Sequence, residues 1–128
     1  MKWLVLLGLV ACSNDTLAPN ELCDAMITMQ CTRFYQCHTA QEIADAGMPA
    51  TLAACIDSLR PAANCDAAVA STYCASGTVY QEKGAFTCID EGNAAECDQF
   101  ITIEDSVTLT SLMTITTDCA KVCMVPTT

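Results

Sequence analysis

The chain has 128 residues, of which 11 are cysteine, and it carries 15 Asp and Glu against 5 Lys and Arg, a net charge of −10. The length holds a single domain, and cysteine at about one residue in twelve marks a disulfide scaffold. The acidic balance argues against binding nucleic acid, which needs Lys and Arg to neutralise phosphates, and against docking on an anionic membrane through a basic face. An apolar content of 52% is too high for a disordered acidic chain. The cysteine count is odd, so at least one cysteine has no partner within the chain.

The first residues read MKWLVLLGLVAC. Lys2 supplies a positive start, and residues 3–11 form an apolar run of nine. A bilayer span needs about 20 residues; the run instead has the length of a secretory signal core. It ends in Leu9-Val10-Ala11-Cys12, which resembles the bacterial lipobox. That resemblance implies a diacylglycerol on the sulfur of Cys12 and cleavage just before it, so that Cys12 becomes the lipidated N-terminus. Two or more acyl chains anchor stably, since each buried methylene adds about 0.8 kcal/mol and one chain alone is marginal. Ser13, in place of Asp, leans towards the outer membrane. The competing reading is an ordinary signal cut after Ser13, with Ala11 and Ser13 as the small flanking residues and Cys12 discarded.

With residues 1–11 removed, 4 basic and 15 acidic residues remain, a net charge of −11, and the one tryptophan, Trp3, is gone. Ten cysteines are left to pair: Cys23, Cys31, Cys37, Cys55, Cys65, Cys74, Cys88, Cys97, Cys119 and Cys123. An even set of this kind predicts about five disulfides and an oxidising compartment, with partners unassigned among roughly a thousand possible pairings. No C-x-x-C occurs, which removes thioredoxin-type redox chemistry, zinc knuckles, haem attachment and ferredoxin-type clusters.

Residues 12–20 read as a lipidated start and short linker, residues 21–123 as a disulfide-rich helical domain, and residues 124–128 as a frayed tail. Asn20 is the expected cap of a helix over residues 21–37, in which Cys23, Ile27, Cys31, Phe34 and Cys37 or His38 share one face. Thr39 and Glu42 form a capping box for a short helix that Gly47 stops. Pro49 opens a helix with Leu52, Cys55, Ile56 and Leu59 on one face, and Pro61 closes it or opens the next. Residues 64–75 form another helix. Thr78 caps one over residues 79–91, weakened by Gly84 and stopped by Gly92. Asn93 and Glu96 repeat the capping box ahead of Cys97 and Phe100. Residues 101–117 alternate like a strand and hold six threonines, yet Leu109, Leu112, Met113, Thr116, Cys119 and Cys123 keep helical spacing. A helix over residues 106–123 is preferred. The expected fold is all-α: a compact bundle of five to seven short helices cross-linked by about five disulfides, where bridges substitute for a large core.

These features together, the lipobox-like start, Cys23, Cys31 and Cys37 on one helix, and Leu52-Ala53-Ala54-Cys55 followed by Cys65, resemble the small cysteine-rich lipoproteins of myxobacteria and related delta-proteobacteria. The resemblance covers the first half of the chain. It implies an envelope location and a helical fold and brings no activity.

No catalytic residue is assigned. His38 is the lone histidine and lacks the context of a G-x-S-x-G or H-E-x-x-H motif; it reads as a cap or surface residue near the last carbonyls of its helix. Asp90-Glu91, Glu96 with Asp98, and Glu104-Asp105 read as solvated faces, not calcium ligands, since no EF-hand pattern occurs. Met26 and Met29 read as core fillers. No metal or other cofactor is expected. The favoured function is a non-enzymatic, envelope-anchored lipoprotein with a structural or binding role at the cell surface, partnered with the membrane through its lipid and with no nucleic acid. The alternatives are a freely secreted disulfide-rich effector or inhibitor and, behind it, a small enzyme with an unrecognised site.

Overall fold

The computed structural model describes residues 15–127. Seven α-helices occur among them: α1 (Pro19–Cys37), α2 (Ala40–Asp45), α3 (Leu52–Ala63), α4 (Ala70–Tyr73), α5 (Glu82–Ala94), α6 (Cys97–Ile101) and α7 (Leu109–Leu112). Single 3-10 turns lie at Cys65–Ala67, Glu104–Ser106 and Asp118–Lys121. Two short strands, β1 (Val79–Tyr80) and β2 (Cys123–Met124), pair antiparallel with Val79 opposite Met124 and Tyr80 opposite Cys123.

The long helix α1 is the centre of the molecule. Leu22, Met26 and Met29 on one side enter a core with Ala85, Cys88, Ile89, Phe100, Ile103, Leu112, Cys119 and Val122. Cys23 and Ile27 on the adjacent side enter a smaller cluster with Cys65, packed by Ile56 and Leu59 of α3. The sequence periodicity reads a single buried face; in fact the helix is sandwiched, because α5 and α3 cover it from two directions.

The five disulfides join Cys23 to Cys65, Cys31 to Cys55, Cys37 to Cys97, Cys74 to Cys123 and Cys88 to Cys119. Three of the five start on α1. The first two are nested within the N-terminal half and the last two within the C-terminal half. Cys37–Cys97 alone ties the halves together covalently, and it closes 60 residues of chain. Cys119 and Cys123 each reach a different neighbour, as their spacing implies.

Several boundaries depart from the expected ones, each for a physical reason. Helix α1 starts at Pro19, a favoured first-turn residue, and its cap is Ala18, whose N–H donates to Glu21 Oε2 at 2.7 Å, not Asn20. Pro61 lies inside α3, which runs on to Ala63 and ends on Asn64 in the left-handed conformation (φ 48°). Residues 64–75 are therefore not one helix but the turn Cys65–Ala67 followed by the single turn α4. Thr78 does not cap a helix: its hydroxyl donates to Ala75 O, Val79 and Tyr80 are extended as β1, and α5 begins only at Glu82. The pairing with β2 decides this, because Gln81 N donates to Val122 O at 2.7 Å.

Gly92 is not a stop either. It is buried within α5, where the sulfur of Met29 fills the space a Cβ would take. Asn93 continues the same helix, and Glu96 stands at the N-terminus of α6 with no capping bond from its side chain. The expected helix over residues 106–123 is broken into α7, the turn Asp118–Lys121 and β2, and Met124 belongs to that strand, not to a frayed tail. Cys123 pairs as a strand residue opposite Tyr80, which ends the helical run before it. The Thr39–Glu42 capping box forms as expected, with Thr39 N donating to Glu42 Oε2 at 2.7 Å and Glu42 N to Thr39 Oγ1 at 3.3 Å. Gly47 ends α2 at φ 69°.

Gly84 marks a close backbone approach. A Cβ there would stand 2.4 Å from the carbonyl oxygen of Lys121, a backbone atom that cannot swing away. Helix propensity alone favours Gly84→Ala by about 1 kcal/mol, but overpacking costs about 1–3 kcal/mol. Chemical unfolding under non-reducing conditions will show Gly84→Ala to be destabilised, and Gly92→Ala less so, since the flexible Met29 side chain yields. Removing the link between halves with Cys37→Ser and Cys97→Ser together will cost about 4 kcal/mol by loop-closure entropy, read as a lowered denaturation midpoint with the other four bridges intact by peptide mapping.

Candidate functional site

Of the residues singled out in the sequence, the ten cysteines are brought together as pairs, whereas Cys12 lies outside the described residues, as does the signal expected over residues 1–11. The structure fixes where the chain leading from Cys12 joins the domain. Leu17 N donates to Glu82 O at 3.0 Å, and Tyr80 Oη donates to Leu17 O at 2.9 Å. The Leu17 side chain packs against the main core. Burial, reinforced by Tyr73, Glu82 and Glu21, pushes the Tyr80 phenol well above its usual range, so it keeps the proton it donates. Leu17 is thus fastened to the domain, four residues before the domain start expected at Glu21.

Beside this junction lies a groove of about 530 Å³. Met26, Tyr73, Val107, Leu109 and Met113 line it, with Thr72, Thr78, Thr108 and Thr110 contributing hydroxyls. Cys119 and Cys123, each in a disulfide, complete the wall. No charged side chain lines it, in a chain with 20 of them. Tyr73 is its one titratable group outside the disulfides, and burial raises that phenol too. Such a surface can hold an uncharged, largely apolar ligand, with threonine hydroxyls as its hydrogen-bonding groups. The sequence gives no sign of it, because its walls come from α1, α4 and the irregular stretch after Ile103.

His38 sits at the other end of α1. Its Nε2 lies 2.6 Å from Glu104 Oε2, its Nδ1 lies 3.5 Å from Glu42 Oε2, and its ring lies 4.5 Å from that of Phe34. The hydrogen bond its ring donates to Glu104 chiefly raises its pKa, with both carboxylates adding to the effect and burial opposing it. His38 is thus more than a helix cap: it clips α1 and α2 to the Glu104–Ser106 turn. Glu104, 66 residues away, is the partner sequence reasoning missed. The two carboxylates face opposite ring nitrogens, so they do not converge on a cation, and the hydroxyl or thiol of a catalytic triad is not among the contacts of this ring.

Among the acidic pairs, Glu91 and Glu104 serve structure. Glu91 accepts from Asp118 N at 2.9 Å and Thr117 N at 3.2 Å, capping the Asp118–Lys121 turn. Asp118 in turn pairs with Lys121 at 2.6 Å. Among the described residues, no three His, Cys, Asp or Glu side chains gather as a metal site. Met26 and Met29 fill the core.

The clip at His38 gives stability a definite pH dependence. A histidine whose folded pKa is raised contributes stability fully present below the unfolded value of 6.5 and lost as pH rises through the higher folded value. The denaturation midpoint will fall across that window, and His38→Gln will abolish the fall. Histidine ring resonances followed by NMR will titrate above 6.5.

Compared with models of known families, with curated proteins and with solved structures, the chain finds no match. The site is accordingly defined by its own geometry: an N-terminal junction at Leu17, an uncharged groove beside it, and a histidine clip at the far end.

Proposed function

We propose that this chain is a non-enzymatic lipoprotein, held to the bacterial envelope by lipid on Cys12, with the disulfide-rich domain acting as a binding module at the membrane surface. The observation that carries this reading is the cysteine pairing. All ten cysteines from Cys23 to Cys123 are used in five bridges. Cys12 is the odd one, and it stands at the end of the apolar run in Leu9-Val10-Ala11-Cys12. The likeness to myxobacterial cysteine-rich lipoproteins points the same way. Five structural disulfides suit an oxidising environment outside the cytoplasm. No helix of the described residues is long and apolar enough to cross a membrane, so attachment falls to the acyl chains. The uncharged lining of the groove supports binding over catalysis, with an apolar small molecule or acyl group as its ligand class.

Intact mass spectrometry of the mature protein tests the anchor. The expected product begins at Cys12, carries a diacylglycerol thioether, contains five disulfides and has no free thiol. Cys12→Ser will lose the lipid and move from the membrane pellet to the soluble fraction with its bridges intact. Recovery of an unmodified soluble chain, with Cys12 free or removed, would establish the freely secreted alternative instead.

A further inference from the structure

We infer that the β1–β2 end of the domain, through Val79, Met124 and Val125, rests directly on the lipid bilayer that holds the anchor. The inference deepens the lipoprotein reading and depends on it. Its first support is the length of the tether. Leu17 is fastened to β1 and to the start of α5 by two hydrogen bonds. Only five residues of advance separate it from Cys12, a reach of at most about 18 Å when fully extended. A lipid on Cys12 therefore keeps this end of the domain within about 18 Å of the headgroups.

The second support is what this end exposes. Side chains alternate along a strand: Tyr80 and Cys123 turn inward, while Val79 and Met124, directly opposite each other, turn outward at 48% and 46% exposure. Val125 follows at 70%, the highest value among the large hydrophobics of the described residues. Val79 is adjacent to Tyr80, the residue whose hydroxyl holds Leu17. Val69 and Met113 are exposed as well, while Leu52 and Ile101 belong to helices bridged to the C-terminal half of α1 by Cys31–Cys55 and Cys37–Cys97. That helix is about 28 Å long, which places them at the far end.

The charges near the ribbon are mixed. Asp15, Glu21 and Glu82 stand with Lys83 and Lys121, all exposed. The contact is thus made by apolar side chains with lipid and not by charge, so a zwitterionic bilayer suffices.

The mature chain lacks tryptophan once Trp3 is cleaved away, which permits a direct test. Val125→Trp, Val79→Trp and, as a far-end control, Ile101→Trp are prepared as the lipidated full-length protein. Each is reconstituted into phosphatidylcholine vesicles with and without brominated acyl chains. The expected result is blue-shifted emission for Val125→Trp and Val79→Trp, with several-fold stronger quenching by bromolipid than for Ile101→Trp. Equal quenching at all three positions, or none at Val125, overturns the inference. A concentration-dependent blue shift without bromolipid quenching assigns the face to a second copy and overturns it equally. The mass of the Cys12 adduct is measured on the same samples. Lipid absent defeats the anchor itself; lipid present without quenching defeats only the bilayer contact.

Discussion

Covalent cross-linking of α1 is the constraint on which the remaining structure depends. Three of five bridges leave this one helix and carry α3, the Cys65–Ala67 turn and α6 onto it. Elements as short as α4 and α7, four residues each, would not persist alone, since isolated helices below about 12–15 residues are marginal in water. They persist because the chain on either side is held. The C-terminal half repeats the device on a smaller scale, with α5 as its centre, Cys88–Cys119 within it and Cys74–Cys123 around it.

Local chemistry was legible in the sequence, and tertiary choices were not. The Thr39–Glu42 box and the Gly47 stop were readable because each is completed within a few residues. The helical class and the even set of bridging cysteines were readable from composition and spacing. Gly84 and Gly92 look like helix-weakening residues in one dimension; in three they are where Lys121 and Met29 come close. Thr78 has the chemistry of a cap, but a strand partner more than 40 residues away determines its surroundings. Disulfide partners were illegible for the same reason: the pairing follows from which helices lie side by side. His38 was recognised as a helix-end residue, while its carboxylate partner Glu104 was hidden by distance along the chain.

The functional features divide between the two ends of α1. At its N-terminal end lie the junction at Leu17, the β ribbon and the uncharged groove. At its C-terminal end lie His38, its two carboxylates and the single bridge between halves. On the proposed reading, a tether on the first end leaves the second, with Glu42 and Asp45 of α2, on the aqueous side. The chain's acidity keeps neighbouring copies apart, while Val79, Met124 and Val125 give the β ribbon an apolar exposed face.

The nesting of the bridges has a consequence for how the protein is made. Numbered in chain order from Cys23, the cysteines pair first with fifth, second with fourth, third with eighth, sixth with tenth and seventh with ninth. No bridge joins two consecutive cysteines. During vectorial export an oxidase that couples thiols as they emerge would form five bridges, none of them native. Cys37 must stay reduced, or be released from a wrong partner, until Cys97 has crossed. Maturation of so small a domain by such a route calls for thiol–disulfide exchange, the step that a disulfide isomerase speeds.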